Sequence, residues 1–408
     1  MTHPRPGPAP VRQASLRGHN LAVVLRDVAD RTALDQPGRA DPSRAEIAER
    51  TGLSRATVST MVDELIGARL LAETGPASRG AVGRPSVGLR LDPGGAAGLG
   101  LEVNVDYVAA CVVDLAGAVR YHRIRHVDLR TRTPRRALAE VETLAGRAVR
   151  SAARQDLRLA GAALAVPGLV QDQLVRLAPN LGWVDVAVPP EWHRLPVTVD
   201  NESNLAALGE LAANPALPRS FVYVSGEVGI GAGIVVDGEL VRGSRGFSGE
   251  LGHLTIHPDG PVCRCGARGC LEQYAGQDAI RAAAGRPVPP DGIPTSVAEF
   301  VALADAGNLP MRNALQHAGE ALGVAIAGLV NLIDVATVVL GGSFAPLEPW
   351  LRDPIAGELA RRVVAARWAP VDVVPSVLGE DAAVRGAAGS VIRAVLDDPA
   401  TWINGAGR

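Results

Sequence analysis

The 408-residue chain contains no lysine, so all 41 of its basic side chains are arginines. Any contact to a phosphate group must therefore come from arginine, from backbone amides or from hydroxyl groups. The chain also has no apolar run of about 18 residues, and no basic segment followed by an apolar one at its start. These absences argue against a membrane-spanning helix and a secretory signal peptide. We expect a soluble, cytoplasmic protein with no membrane partner.

Cysteine is also scarce, with four in the whole chain. Cys111 lies in an apolar, strand-like run with no partner nearby in the sequence. This position fits a buried core residue in a reducing compartment better than a disulfide framework. The other three cysteines, Cys263, Cys265 and Cys270, are clustered, and this density points to a metal rather than to core packing.

Those three cysteines and His253 predict a metal centre. Zn²⁺ favours tetrahedral coordination by imidazole nitrogen and thiolate sulfur, and Gly266 and Gly269 let a short loop wrap the ion. Since four protein ligands leave no open position, we expect a structural zinc ion. The alternative is a set of buried free thiols. Glu250 and Glu272 flank the ligands, so a zinc clamp would aim two carboxylates at a cleft.

Length and charge divide the chain into regions. The length predicts two or three domains, and an apolar content of 47% is enough for packed cores. The proline-rich residues 1–12 are expected to be disordered. Residues 1–90 hold 13 arginines against nine acidic residues, a net charge of +4, whereas the whole chain carries −2. A basic amino-terminal region is compatible with nucleic-acid binding but does not establish it.

Two short helices are predicted within the basic region. Residues 43–52 read as a helix capped by Ser43, with Glu46 as the capping-box partner and Gly52 as the stop. A second helix follows Ser54 and runs to residue 66. Its apolar residues recur at helical spacing, at Val58, Met61, Val62 and Leu65. The pair has the spacing of a helix-turn-helix.

The second of these helices predicts DNA contacts. Short polar and basic side chains lie outside its apolar stripe, in the amino-terminal half that meets base edges in a recognition helix. They are Ser54, Arg55, Thr57, Ser59 and Thr60. The amides of its first turn can also contact phosphate. The alternative is a plain helical hairpin with a solvated polar face.

Flanking segments complete a winged helix-turn-helix. Residues 16–33 carry apolar residues at helical spacing and predict a first helix. Downstream, alternating residues predict the two strands of a wing, at 70–74 and 87–91. The loop between them carries Arg79 and Arg84, which could enter a minor groove or hold phosphate. We therefore predict a DNA-binding domain over residues 13–92.

After residue 92, strand-like and helix-like segments alternate to the end of the chain. Strands are predicted at 103–115, 120–127, 159–166, 195–200, 221–224, 233–236 and 336–340, and a helix at 135–156. This alternation predicts two α/β lobes, residues 93–215 and 216–408, that meet at a cleft. The second lobe contains the zinc motif.

Several ordered motifs in this region resemble those of the ROK family of sugar kinases and sugar-responsive repressors. They are Gly168 after Val-Pro, Pro179-Asn180-Leu-Gly-Trp183, Asn201-Glu202-Ser203-Asn204, Gly229-Ile-Gly-Ala-Gly233, Glu250-Leu-Gly-His253, the cysteine cluster and Gly341-Gly342. The resemblance covers roughly residues 94–395. It implies the two-lobed actin/hexokinase-like α/β fold, here preceded by the winged helix-turn-helix.

The resemblance also implies a monosaccharide in the cleft. The positions that hold it are Gly168, Asn180, Asn201, Glu202, Glu250, His253 and Glu272. His253 would ligate zinc with one ring nitrogen and face the sugar with the rest of the ring. Sugar hydroxyls both donate and accept hydrogen bonds, so carboxylates and amides suit them, and a deoxy or epimeric sugar would leave a buried group unpaired.

Three positions depart from the pattern of the family's kinases. The DxGGT phosphate loop reads Glu102-Val-Asn-Val-Asp106, so both glycines carry side chains and Asp106 puts a negative charge where a phosphate would sit. The second phosphate element carries Glu227. The catalytic base, an aspartate in the kinases, is Glu202, whose side chain is one methylene longer. We expect sugar binding without phosphoryl transfer, and no catalytic residue.

These features predict a sequence-specific transcriptional regulator, a repressor of sugar-utilisation genes whose pattern is closest to the xylose-repressor branch of the family. Its expected partners are an operator, palindromic if two recognition helices bind together, a monosaccharide effector and further copies of the chain in a homodimer or higher oligomer. The alternatives are an ATP-dependent ROK sugar kinase with a fused DNA-binding domain and a constitutive DNA binder with an empty body. The sugar and the direction of its effect stay open.

Overall fold

The computed structural model describes residues 13–33, 41–76, 87–286 and 297–405. The helices in these ranges are α1 (Gln13–Ala33), α2 (Arg44–Thr51), α3 (Arg55–Gly67), α4 (Pro134–Arg154), α5 (Glu202–Ala213), α6 (Glu272–Ala275), α7 (Gln277–Ala283), α8 (Val297–Asp305), α9 (Leu309–Ile333), α10 (Phe344–Arg362), α11 (Ala382–Asp397) and α12 (Pro399–Gly405). None of these helices is long and apolar enough to cross a membrane.

The strands of the described ranges are β1 (Leu71–Pro76), β2 (Val87–Leu91), β3 (Ala96–Val103), β4 (Tyr107–Asp114), β5 (Val119–His126), β6 (Arg158–Val166), β7 (Leu169–Gln171), β8 (Leu174–Ala178), β9 (Trp183–Ala187), β10 (Glu191–Trp192), β11 (Leu195–Asn201), β12 (Phe221–Gly226), β13 (Ile230–Val236), β14 (Glu239–Leu240), β15 (Thr337–Gly342) and β16 (Asp372–Pro375). The α/β class expected from the alternating pattern is confirmed.

The amino-terminal region consists of α1, α2, α3 and the antiparallel pair β1–β2. Ser43 caps α2 as predicted: its hydroxyl accepts from the Glu46 amide, and the Glu46 carboxylate accepts from the Ser43 amide at 2.8 Å. Ser54 caps α3, where its hydroxyl accepts from the Thr57 amide at 3.1 Å. The predicted helices and both wing strands are therefore confirmed, whereas residues 1–12 lie outside the described ranges.

The rest of the chain is built on two large sheets. The first has the strand order β10-β11-β6-β3-β4-β5, in which β3, β6 and β11 run parallel. The second has the order β14-β13-β12-β15-β16, in which β12, β15 and β16 run parallel. A small antiparallel sheet, β7-β8-β9, is inserted between β6 and β10 of the first sheet. In a parallel sheet, ligands bind beyond the carboxyl ends of the strands, and the loops after β3, β11, β12 and β15 lie there.

One segment differs from its prediction. Residues 103–115 were expected to form one strand, but β3 ends at Val103 and β4 starts at Tyr107. The Asn104 amide donates to the Tyr107 carbonyl at 2.9 Å and closes a tight turn between the two strands. Both strands are buried along nearly their whole length, and the turn between them carries the polar residues Asn104 and Asp106.

Helix α11 packs against the first sheet although it comes near the end of the chain. A Cβ atom at Gly98 or Gly100 of β3 would lie 2.2 Å or 1.9 Å from a backbone oxygen of α11. A Cβ at Gly386 of α11 would lie 1.8 Å from the Leu205 oxygen of α5. Glycine is required where these backbones meet. The division into residues 93–215 and 216–408 stays a prediction, and it would separate α11 from the sheet that it covers.

Candidate functional site

A cavity of about 250 Å³ lies between the two large sheets. It is lined by all seven residues that the sequence predicts to hold a sugar: Gly168, Asn180, Asn201, Glu202, Glu250, His253 and Glu272. They come from the ends of β6, β8, β11 and α5 and from the segment around the cysteine cluster. Residues that are far apart in the sequence are therefore brought to one cavity whose polar lining consists largely of amide and carboxyl groups.

Asn201 holds the wall of this cavity together. Its side-chain oxygen accepts from the amides of Ser203 and Asn204 and so caps α5, while its amide group donates to the Gly168 carbonyl at 3.0 Å. Gly168 has φ of +115°, and a Cβ there would lie 2.2 Å from the Leu177 oxygen. Since the Asn201 oxygen serves the helix cap, only the second N–H of its amide is left to reach a sugar.

Asn180 and Glu272 meet across the cleft over Gly229. A Cβ at Gly229 would lie 2.6 Å from Glu272 Oε2 and 2.7 Å from Asn180 Nδ2. Arg264 donates to Asn180 Oδ1 at 3.1 Å, which ties the segment after β8 to the cysteine loop. Sequence reasoning did not identify Arg264 as part of the site. Its position between two of the predicted metal ligands was the signal that could have found it.

His253 connects the cavity with the cysteine cluster. Its Nδ1 atom lies 3.8 Å from Cys263 Sγ, and its Nε2 atom lies 4.0 Å from Glu250 Oε2. One ring nitrogen therefore faces the cysteines and the other faces a carboxylate of the cavity. Burial raises the pKa of Glu250, and proximity to His253 lowers it in opposition.

His253, Cys263, Cys265 and Cys270 could hold a metal ion. One ligand atom from each lies within 4.8 Å of all the others. Cys265 Sγ and Cys270 Sγ are 3.7 Å apart, and a tetrahedral ion with Zn–S bonds of about 2.3 Å would place neighbouring sulfurs about 3.8 Å apart. Both donor set and spacing fit Zn²⁺. Gly269 allows the loop to close, since a Cβ there would lie 1.7 Å from the His257 oxygen.

A second, much smaller cavity of about 10 Å³ adjoins the first. Its lining includes Glu102, Asn104 and Glu227 from the two sequences that resemble kinase phosphate loops, together with Tyr107 and Gly342. Tyr107 donates to Glu102 Oε1 at 2.6 Å, and Asn104 donates to the Tyr107 hydroxyl at 3.1 Å. A Cβ at Gly342 would lie 2.5 Å from Glu227 Oε1. Side chains thus fill this part of the cleft.

Asp106 does not take part as the sequence suggested. It was expected to place its charge at the phosphate position, but it lines neither cavity. Its charged neighbours include His126 and Arg130, which oppose the effect of burial on its pKa. The carboxyl groups that line the closed cavity instead include those of Glu102 and Glu227, and the charge of Asp106 helps to raise the pKa of both. Tyr107 was missed, because the predicted single strand over 103–115 concealed the turn that brings it back to Glu102.

Burial perturbs the acids between the two cavities. The pKa of Glu202 is raised to about 8, chiefly by burial and in smaller part by the nearby Glu102 and Glu250. Burial also raises the pKa of Glu102 to about 7, against the hydrogen bond from Tyr107. The pKa of Glu227 is raised well above its ordinary value, again chiefly by burial.

The predicted DNA-contacting residues of α3 lie along its first turns. Arg55 and Thr60 are exposed, and within the described ranges Arg55 makes no ion pair. Ser54 and Thr57 share a hydrogen bond of 2.8 Å, so part of their polarity serves the helix cap. Ser59 is half-buried. Arg79 and Arg84 of the wing lie outside the described residues.

The amino-terminal region rests on α11 and α12. Leu21, Val24 and Leu25 of α1 share an apolar cluster with Ile392 and Val395 of α11. Arg26 of α1 also forms an ion pair with Asp397. Trp402 donates to the Ala68 carbonyl at 3.2 Å while its ring stacks under Arg158 at 4.7 Å.

Comparison with known proteins agrees with this arrangement. Residues 98–394 match the model of the ROK family. The xylose repressor of Bacillus subtilis (strain 168) is 31% identical over 360 residues, which cover 87% of this chain and 92% of the repressor. Among solved structures, a ROK family transcriptional regulator, a homologue of the Escherichia coli MLC protein, gives a TM-score of 0.76 at 27% identity, over 95% of this chain and 99% of that one.

Kinases of the family match a smaller part of the chain. A ROK glucokinase from Streptomyces griseus, solved with glucose and AMPPNP, gives a TM-score of 0.62 at 25% identity. The match covers 72% of this chain and 98% of the kinase.

Proposed function

Because the chain belongs to the ROK family, we propose that it is a transcriptional repressor that senses a monosaccharide. One observation carries this proposal: a cavity lined by sugar-matching groups is open, while the adjoining phosphate position is filled by side chains. The repressor relatives support it, since their similarity extends across the amino-terminal region as well as the body. In the domain division proposed here, residues 13–92 bind the operator and the two lobes that follow form the sensor.

Glu202, Glu250, Glu272 and Asn180 are proposed to hold the sugar hydroxyls. Their oxygens and amide group line one face of a 250 Å³ cavity. Gly168 and Asn201 act mainly by shaping that wall, because the Asn201 side chain already caps α5 and binds the Gly168 carbonyl. A buried site of this kind rejects a sugar that lacks a matching hydroxyl, since a polar group is then left unpaired. Xylose and glucose are the candidates that the relatives' names suggest.

Zinc is proposed as the ion of the cysteine cluster, in a structural role. When bound, it would fix the orientation of His253 and of the loop that carries Glu272. His253 Nε2, which faces Glu250, is then free to contact the sugar. The chain's own residues bind and orient the sugar, and the ion keeps the loop in place.

We further propose that the chain does not transfer phosphate. Glu102, Glu227 and two tyrosines leave only about 10 Å³ where a nucleotide's phosphates would need room. The side chains of Glu102 and Glu227 therefore exclude the phosphates by occupying their space. The alternative, a sugar kinase with a fused DNA-binding region, has a glucokinase of Streptomyces coelicolor in its favour, 29% identical over 71% of this chain. Release of ADP from Mg-ATP in the presence of glucose would establish that alternative.

Helix α3 is proposed to enter the major groove, with Arg55 as its main base-reading side chain. Arg55 is exposed and pairs with no acidic group in the part of the chain that the structure describes, which leaves its guanidinium available. Two recognition helices one helical turn apart require at least a homodimer, and the operator is then palindromic. A sugar that changes the angle between the two large sheets would move α11, on which α1 rests.

Operator selection tests the function. The full-length protein is used to select duplexes from a random DNA library, and the selected duplex is titrated with and without D-xylose and D-glucose. We expect one of these sugars to change the DNA affinity by about 5- to 150-fold. Failure to select any sequence, or a DNA affinity that responds to no monosaccharide, would contradict the proposal.

Two variants locate the effects in the molecule. Arg55→Ala should weaken operator binding by ~1–3 kcal/mol while leaving sugar affinity unchanged. Glu272→Ala should do the opposite: it should remove the response to sugar while the sugar-free protein still binds the operator. Equal operator affinity for Arg55→Ala and the parent would move the DNA-reading surface elsewhere.

A further inference from the structure

Four glutamates meet where the two cavities of the cleft adjoin. Glu202 and Glu227 line both cavities, Glu102 lines the closed one and Glu250 lines the open one. They come from different parts of the fold: β3, the start of α5, the turn after β12 and the segment before His253. The fold therefore brings together four groups of the same potential charge.

No arginine or lysine offsets this cluster. Among the described residues that line the two cavities there is no arginine, and the chain has no lysine. In the described ranges, Glu102, Glu202 and Glu227 form no ion pair with any basic residue, whereas His253 Nε2 lies 4.0 Å from Glu250 Oε2. Within the same ranges, Glu102 Oε2 and Glu202 Oε2 are buried and have no hydrogen-bond partner. Glu102 as a whole is 2% exposed, and Glu202 as a whole is half-buried.

A metal ion does not account for the cluster either. Among the described residues, only His253 and the three cysteines bring three or more ligand atoms within 4.8 Å of one another. A buried carboxylate with no cation, metal or donor beside it lowers its free energy by taking up a proton. Burial, together with Glu102 and Glu250, raises the pKa of Glu202 to about 8, which agrees with this reasoning.

We infer that Glu202 faces the sugar as a neutral carboxylic acid, which donates a hydrogen bond to a sugar hydroxyl. This inference rests on the proposed function and names the chemistry of one of its residues. An ionised carboxylate can only accept, whereas the neutral acid donates through its O–H and accepts through its carbonyl. The acid therefore selects a hydroxyl that presents a lone pair toward α5.

The same proton explains why Glu202 cannot replace the kinase base. A general base must be ionised to take the proton of the attacking hydroxyl. A carboxyl group that already holds a proton at neutral pH cannot do so, whatever its reach. The other titratable groups that line the two cavities around it are Glu102, Tyr107, Tyr223, Glu227, Glu250, His253, Cys265, Glu272 and Glu380.

Infrared spectroscopy tests the proton without any ligand. Spectra of the full-length parent and of Glu202→Gln are subtracted at a series of pH values between 6 and 9. We expect the carbonyl stretch of a protonated carboxylic acid in the difference spectrum at neutral pH, replaced by carboxylate bands as the pH passes about 8. In a Glu102→Gln background this titration should move to lower pH, because one neighbouring charge is gone.

Calorimetric titration with D-xylose and D-glucose over the same pH range tests the donor role. For the parent, the affinity for the sugar that binds should fall about tenfold per pH unit once the pH exceeds the pKa of Glu202. Glu202→Gln carries a permanent donor, so its pH profile should be flat above pH 7. Glu202→Asp, which keeps an acid but shortens it, is the companion variant and should weaken binding at every pH.

The outcomes separate the two proposals. Carboxylate bands alone at pH 6–7, or sugar affinity that rises with pH, would overturn the neutral acid. Loss of binding in Glu202→Gln with full binding in Glu202→Asp would also overturn it. If the acid band is present but neither these sugars nor any other monosaccharide binds at any pH, the protonated state of Glu202 is supported while the sensor function fails.

Discussion

The two cavities of the cleft share Asn104, Glu202 and Glu227, yet they have opposite designs. The open cavity, of about 250 Å³, is kept clear by glycines such as Gly168 and Gly229, and its polar groups face inward. The closed cavity, of about 10 Å³, is filled by acids and tyrosines that bond to one another. The cleft therefore has room for a ligand in one of its two cavities.

The comparison shows that one fold can hold an open and a closed cavity side by side. The strands of the two large sheets surround both cavities, and the difference between the cavities lies in the side chains at the strand ends. Buried acids without counter-charges lower the stability of the fold at neutral pH, and a surface that binds nothing gains no function in return. The proposed proton on Glu202 assigns one of these acids a role in sugar binding.

The largest effect is expected from the metal ligands of the open cavity. Cys270→Ser should remove the bound metal, lower the melting temperature and abolish sugar binding, because the loop carrying Glu272 loses its anchor. Metal content by mass spectrometry and a thermal shift with D-xylose or D-glucose measure both effects. Cys111→Ala is the matched control, since Cys111 is buried in β4 away from the cleft and should keep the metal. A metal-free variant that still binds sugar would refute the coupling.

Next in size is the effect of narrowing the open cavity. Gly229→Ala places a Cβ within 2.7 Å of Asn180 Nδ2 and 2.6 Å of Glu272 Oε2, so these groups must move apart. We expect a loss of ~1–3 kcal/mol in the free energy of sugar binding, or about 5- to 150-fold in affinity by calorimetry. Gly328→Ala in α9, where a Cβ meets nothing within 4 Å, should leave affinity unchanged. Equal affinity in both variants would place the sugar elsewhere.

The buried acid Glu102 of the closed cavity should make the free energy of unfolding depend on pH. The pKa of Glu102 is raised to about 7 from 4.5. Its favourable contribution to the free energy of unfolding is therefore fully present below pH 4.5 and is lost as the pH rises through about 7. Glu102→Gln cannot ionise, so its free energy of unfolding should rise relative to that of the parent by roughly 3 kcal/mol between pH 5 and pH 8. Urea unfolding at both pH values measures this difference. Glu239→Gln on the exposed β14 serves as the control, and a similar gain there would dismiss the buried acid as the cause.

The smallest effect is expected at Asp106, which lines neither cavity. Asp106→Asn should change sugar affinity by less than about twofold and should not create nucleotide binding. Calorimetry with the sugar and with Mg-ATP provides both values. Binding of ATP by this variant would return the phosphate-repelling role to Asp106 and weaken the distinction between the two cavities.

Local patterns in the sequence were sufficient for much of the molecule. Caps such as Ser43 and Ser54, the apolar stripe of α3 and the dense cysteine cluster depend on neighbours in the chain, so they can be predicted from spacing. The turn at Asn104 was missed although Asn104 and Asp106 interrupt the apolar residues of β3 and β4 there, because valines alternate with these polar residues as they would in a continuous strand. The cap formed by Asn201 was visible as an asparagine before a helix, but a ligand role was assigned to it instead.

Contacts between residues far apart in the sequence could not be predicted in the same way. Nothing near Gly386 indicates that its backbone meets α5, and nothing near Glu227 indicates that its carboxylate rests on Gly342. Such contacts depend on where whole elements come to lie. The placement of Arg264 against Asn180 belongs to the same class.

The position of helix α11 in the sequence means that its packing partners can be covered only late in synthesis. Its backbone lies directly on β3, beside the glycines at 98 and 100, and its far end supports α1. Both of those partners leave the ribosome long before residues 382–397 are made. The face of the first sheet that α11 covers and the part of the amino-terminal region that rests on it therefore stay uncovered until then, and transiently exposed apolar surface of this kind favours aggregation.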